Sequence, residues 1–231
     1  MKEKILLVLD VSTREEAMKL VRPLYEHVGM FKVGMQLFTA EGPSLVREIV
    51  ELGGKVFLDL KFHDIPNTVS HGVLEAAKLG VSLMTIHAAG GRMMMQAVAK
   101  ELQDKFGERK PTVVAVTVLT SLNDAELAEV GVARPMSQQV VAMAKLAEEC
   151  GIAGVVCSPK EIQLVRRAVG SNFKIVTPGI RMPGQAANDQ QRLATPREAL
   201  TSGADYIVVG RAVTAAPDPR SALTALVEST K

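Results

Sequence analysis

Eight short apolar runs, each followed by a stretch of helical periodicity, set the constraint on this chain. They fall at residues 5–9, 31–33, 55–60, 83–86, 112–118, 154–157, 174–177 and 206–209. A strand with one wet face alternates apolar and polar residues. Continuous apolar runs separated by amphipathic helices belong instead to a parallel sheet covered by the helices that connect its strands. The helical signal is explicit: Ala17, Leu20, Val21, Leu24 and Val28 share one face, as do Leu45, Ile49 and Leu52 ahead of Gly53-Gly54. Ser12 with Glu15, Ser158 with Glu161 and Thr195 with Glu198 have capping-box spacing, and Pro66 and Pro159 stand where proline opens a helix. Further helices are expected near 93–106, 140–150 and 222–227, with 121–135 an insertion after the fifth strand. His27 and His71 are placed on helices, and Met93-Met94-Met95 in helix packing.

No Pro/Ser/Gly-rich linker separates the eight units, so the expectation is one domain, 1–231, of the α/β class: a single (β/α)8 TIM barrel. An open doubly wound sheet would favour a glycine-rich dinucleotide turn after the first strand, whereas this chain has Asp10-Val11-Ser12-Thr13 there. Lys and Arg number 27 against 25 Asp and Glu, a net charge of +2, which argues against disorder and against a nucleic-acid partner held by bulk charge. Aromatic residues are 3% with no Trp, too few for base-stacking platforms. The apolar runs are too short for a signal peptide or a membrane span, so a cytoplasmic protein with no membrane partner is expected. Cys150 and Cys157 are read as buried thiols, not as a disulfide framework or zinc site.

In a barrel of this kind the chemistry sits at the C-terminal ends of the strands. The polar residues there are Asp10, Lys32, Asp59, Lys61, His87, Thr120, Thr177 and Gly210-Arg211. Asp59 and Lys61 are two apart, which on a regular strand puts them on one face. With Lys32 on the neighbouring strand and Asp64 just beyond, cations and anions alternate across the mouth. A lysine flanked by two carboxylates is expected to stay protonated, suited to donating a proton and unsuited to a Schiff base. The competing reading is a salt-bridge cluster that only ties strand ends together. Thr177-Pro178-Gly179-Ile180-Arg181, the polar loop 182–192 and Gly210-Arg211 suggest a phosphate site after strands seven and eight, with the loop as a lid; an ordinary surface loop is the alternative. No His/Asp/Glu spacing forms a metal triad, and His87 is read as a hydrogen-bonded core residue.

Taken in order, these segments resemble the orotidine 5′-monophosphate decarboxylase family. The pattern Asp-x-Lys-x-x-Asp-Ile-Pro-Asn-Thr stands intact as Asp59 through Thr68, and similarity continues through Lys32-Val33-Gly34, His87-Ala88-Ala89-Gly90-Gly91, Thr120-Ser121, Thr177 to Arg181, Asp189-Gln190 and Gly210-Arg211. The resemblance implies decarboxylation of orotidine 5′-monophosphate to uridine 5′-monophosphate, without cofactor or metal, in pyrimidine biosynthesis. It implies that Lys61 protonates C6 of the pyrimidine, that Asp59 sits beside the departing carboxylate, and that Lys32 holds Asp59 and the ribose. Asp10 would bind a ribose hydroxyl, and Thr120 or Ser121 the pyrimidine edge. Arg181 would bind substrate, and Gln190, Gly210 and Arg211 the 5′-phosphate. Asp64 and Thr68 would reach into the other subunit's site, making a homodimer with composite active sites. A magnesium-dependent sugar-phosphate aldolase or decarboxylase on the same scaffold, and a non-catalytic nucleotide-binding barrel, are the competing readings.

Overall fold

The computed structural model describes residues 1–182 and 193–230. Its eight parallel strands close in chain order: β1 (Ile5–Val8), β2 (Met30–Gly34), β3 (Val56–Phe62), β4 (Leu83–His87), β5 (Thr112–Val116), β6 (Gly154–Val156), β7 (Lys174–Thr177) and β8 (Tyr206–Val209), which pairs with β1. The intervening helices are α1 (Arg14–Leu24), α2 (Met35–Glu51), α3 (Pro66–Ala77), α4 (Gly91–Phe106), α5 (Asp124–Glu129), α6 (Met136–Glu149), α7 (Ile162–Ala168), α8 (Pro196–Thr201), α9 (Arg211–Thr214) and α10 (Pro219–Ser229). This is the (β/α)8 barrel that the apolar runs lead one to expect. Among the described residues no helix is long and apolar enough to cross a membrane.

The strand alternation divides the core in two. Leu6, Phe57, Leu83, Val114 and Val176 pack together with Met30, Val156, Tyr206 and Val208 inside the barrel. Their neighbours, among them Ile5, Leu7, Val33, Leu58, Met84, Ile86 and Ala115, turn outward under the helices. Two residues further along the inward rows, Met30 gives way to Lys32, Phe57 to Asp59, Leu83 to Thr85 and Val208 to Gly210. The barrel is thus apolar below and polar at its C-terminal mouth.

Several local readings are corrected. The cap of α1 is Thr13 with Glu16, not Ser12 with Glu15. Thr13 is extended and its hydroxyl accepts the Glu16 N–H, while the Glu16 carboxylate accepts the N–H groups of Ser12 and Thr13. The boxes at Ser158/Glu161 and Thr195/Glu198 form as expected. His27 lies in the turn after α1, not on a helix. Strand five ends at Val116, where Thr117 donates its hydroxyl to the Val156 carbonyl. The segment after it holds α5, and the Asp124 carboxylate accepts the Met136 N–H at 2.7 Å, so α6 starts at Met136 rather than near 140. Met94 and Met95 are buried, but Met93 is 76% exposed. Both cysteines are free and buried.

Candidate active site

At the C-terminal mouth lies a cavity of about 260 Å³, lined by Asp10, Lys32, Asp59, Lys61, Thr120 and Arg181 together with Gly210 and Arg211. Its floor is apolar, made by Phe57, Val156, Val176 and Val208. A low-polarity floor beneath charged walls strengthens every electrostatic interaction made above it.

Asp59 is the centre of the charge array. Its Oδ2 lies 2.9 Å from Lys61 Nζ and 3.2 Å from Lys32 Nζ, and its Oδ1 accepts the Thr85 hydroxyl at 3.0 Å. Burial alone would push this carboxyl up. The Lys32 and Lys61 ammoniums, with hydrogen bonds from Lys61 and Thr85, outweigh it and hold Asp59 below the ordinary carboxylate range. Asp59 is therefore ionised at neutral pH, with two cations sharing one anion.

The place of Lys32 depends on Gly34. A Cβ at position 34 would stand 3.1 Å from Lys32 Nζ, so the absent side chain leaves room for the ammonium to reach across to Asp59. Lys61 is held differently. It has φ +53°, making it the one non-glycine residue in the left-handed region among those described. A residue with a Cβ adopts that conformation at a cost of about 1–2 kcal/mol. The cause is a bulge in β3: Leu58 pairs with Met84 and Phe62 with Ile86, so three residues of β3 face the single Thr85 of β4. Asp59 and Lys61 do converge, as expected, but not by simple alternation, because the bulge breaks the two-residue repeat between them.

Asp64 is not brought to the Lys61 ammonium. Its carboxylate turns back to accept the N–H of Ile65 at 2.6 Å, and both Asp64 and Thr68 are exposed and outside the cavity of their own chain. The expectation of a lysine between two carboxylates of one chain is thus met only for Asp59. Gln190, with most of the polar loop 182–192, lies outside the described residues. Arg181 donates to the Ile180 carbonyl while lining the cavity, just after Gly179, whose φ of +80° turns the chain out of β7.

His87 is half-buried, not a core residue, and stacks on His63 with ring centroids 5.2 Å apart. Burial, His63 and Lys61 depress its basicity against the opposing pull of Asp59, so it is neutral at neutral pH. Among the described residues, no group of three or more His, Cys, Asp or Glu side chains is placed to hold a metal ion. Thr85 is the site residue that sequence reasoning missed, since in the run Leu83 to His87 it looks like one more β-branched strand residue.

A model of the orotidine 5′-phosphate decarboxylase / HUMPS family matches residues 3–226. Orotidine 5′-phosphate decarboxylase of Geotalea daltonii is 52% identical over 225 residues, covering 97% of this chain and 94% of that protein. The protein of the same name from Moorella thermoacetica is 49% identical, covering 97% and 91%. Among solved structures, orotidine 5′-phosphate decarboxylase from Lactobacillus acidophilus superposes with a TM-score of 0.87 at 38% identity, covering 98% of each chain.

Proposed function

Because this chain belongs to the orotidine 5′-phosphate decarboxylase / HUMPS family, we propose that it converts orotidine 5′-monophosphate to uridine 5′-monophosphate and carbon dioxide in pyrimidine biosynthesis. It would do so as one barrel domain, in the cytoplasm and without cofactor or metal. The observation that carries the reading is the Lys32–Asp59–Lys61 array, in which one buried carboxylate orients two ammoniums over an apolar floor. Relatives at about half identity over nearly the full chain support the same chemistry.

In this reading the 5′-phosphate lies against the Gly210 backbone and the Arg211 fork, with Gln190 as a further ligand. The ribose lies between Asp10 and Lys32, and the pyrimidine edge meets Thr120 or Ser121. Arg181 contributes to substrate binding from the exit of β7. Asp59 stands beside the substrate carboxylate, a like-charge contact that is relieved when carbon dioxide departs. The C6–carboxylate bond breaks, its electron pair remains on C6, and the Lys61 ammonium first stabilises that charge and then transfers a proton to it. The lysine regains its proton from solvent, so the net reaction consumes one proton. Asp64 and Thr68, exposed at the start of α3, complete the site of a second subunit in a homodimer.

The test is turnover of orotidine 5′-monophosphate by EDTA-treated protein, following loss of orotate absorbance together with carbon dioxide release. Conversion without added metal is the expected result. Inertness toward this nucleotide, with activity appearing only on a sugar phosphate plus magnesium, would move the protein to the aldolase branch and remove the roles given to Thr120 and Gln190.

The phosphate site has its own test. Arg211→Ala should lower kcat/KM on orotidine 5′-monophosphate about 10- to 100-fold, the worth of one lost charge-assisted contact. It should leave the slow turnover of orotidine, which lacks the phosphate, nearly unchanged. Equal losses on both substrates would show that Arg211 does not meet the phosphate.

A further inference from the structure

The bulge in β3 leaves a problem that β4 solves. With three residues of β3 opposite Thr85 alone, the Lys61 N–H has no ladder carbonyl to meet. It donates instead to the Thr85 hydroxyl at 2.9 Å, and that hydroxyl donates in turn to Asp59 Oδ1 at 3.0 Å. One fully buried side chain therefore holds the left-handed backbone of Lys61 and the carboxylate that aims its ammonium. A hydroxyl can do both because it accepts and donates at once. Valine would fill nearly the same space and do neither.

We propose that Thr85 is a positioning residue for the decarboxylation, fixing Lys61 and Asp59 relative to each other through the relay Lys61 N–H to Thr85 hydroxyl to Asp59 carboxylate. It touches no reacting atom. With the hydroxyl gone, the Lys61 N–H is unpaired and Asp59 keeps its two lysines on Oδ2 but loses the hydrogen bond that fixes Oδ1, so carboxylate and ammonium shift together off the line to C6. Misplacement on the scale of an ångström is enough to cost turnover without costing binding. The proposal rests on the decarboxylase reading, and wild-type turnover of orotidine 5′-monophosphate tests that reading separately.

The experiment compares Thr85→Val, Thr85→Ala and Thr85→Ser with wild type for kcat and KM on orotidine 5′-monophosphate, and for affinity for uridine 5′-monophosphate, which lacks the carboxylate that faces Asp59. Val and Ala should lower kcat about 10- to 100-fold with KM and product affinity within about threefold. Ser, which keeps the hydroxyl, should stay within about threefold of wild-type kcat. Because Val and Ala both remove the hydroxyl but differ in volume, folding of either one suffices for the comparison with Ser. Near-wild-type kcat in the hydroxyl-free variant, or an equal loss in Ser, would overturn the relay and leave Thr85 a packing residue.

Discussion

Lys61→Ala is expected to lose about 10⁴-fold or more in kcat, combining a general-acid contribution of at least ~10² with the electrostatic stabilisation of a developing carbanion of similar size. Affinity for uridine 5′-monophosphate should change by less than about tenfold, because the groups assigned to phosphate and ribose are untouched. The fold should survive: without Lys61, Asp59 keeps Lys32 at 3.2 Å and the Thr85 hydroxyl at 3.0 Å, so no buried carboxylate is stranded. Lys61→Arg separates two roles. It keeps the positive charge but holds its proton far more tightly, so it should remain severely impaired if proton delivery is what Lys61 supplies. Single-turnover release of carbon dioxide, measured beside incorporation of a solvent deuteron at C6, checks both variants. Near-normal turnover in Lys61→Ala would remove Lys61 as the proton donor.

How much of this site could be read in advance follows from which interactions are local. The eight strands were legible because their central residues are buried, leaving runs such as 5–9 and 154–157 with no polar interruption. The caps at Ser158 and Thr195 were legible because a capping box is closed within four residues. The box at Thr13 was misplaced by one position because Ser12 and Glu15 have the same spacing as Thr13 and Glu16, and only the extended backbone at Thr13 decides between them. The charged mouth was visible as residue types, while its geometry was not. The convergence of Asp59 on Lys61 depends on a bulge set by the register of β3 against β4, residues far apart in sequence, and Thr85 acquires its role only through that register. Asp64 does not meet the Lys61 of its own chain for the same reason: proximity in sequence says nothing about which way the chain turns after Phe62.

That turn is the basis of the other large effect. Asp64, Ile65 and Thr68 are exposed where the chain leaves β3, with Ile65 66% exposed, and Met93 is 76% exposed at the start of the adjoining helix α4. Exposed apolar side chains beside polar residues of the shared motif suit a surface covered by a second copy of the chain. If Asp64 serves the partner's cavity, Asp64→Asn should lower kcat by about 10² or more as a homodimer, through loss of a charge facing the Lys61 ammonium. Lys61→Ala should be inactive as a homodimer for its own reason. A heterodimer of the two variants, isolated with two different affinity tags, carries both lesions in one site and neither in the other. Its turnover should therefore recover to about half that of the wild-type dimer, since one of two symmetric sites is intact. Were Asp64 to act within its own chain, each site of the heterodimer would carry one lesion and activity would stay at the level of the parents. Half-activity has no explanation other than a site built from two chains, so a heterodimer as inactive as its parents would remove Asp64 from the partner's site and the composite arrangement with it.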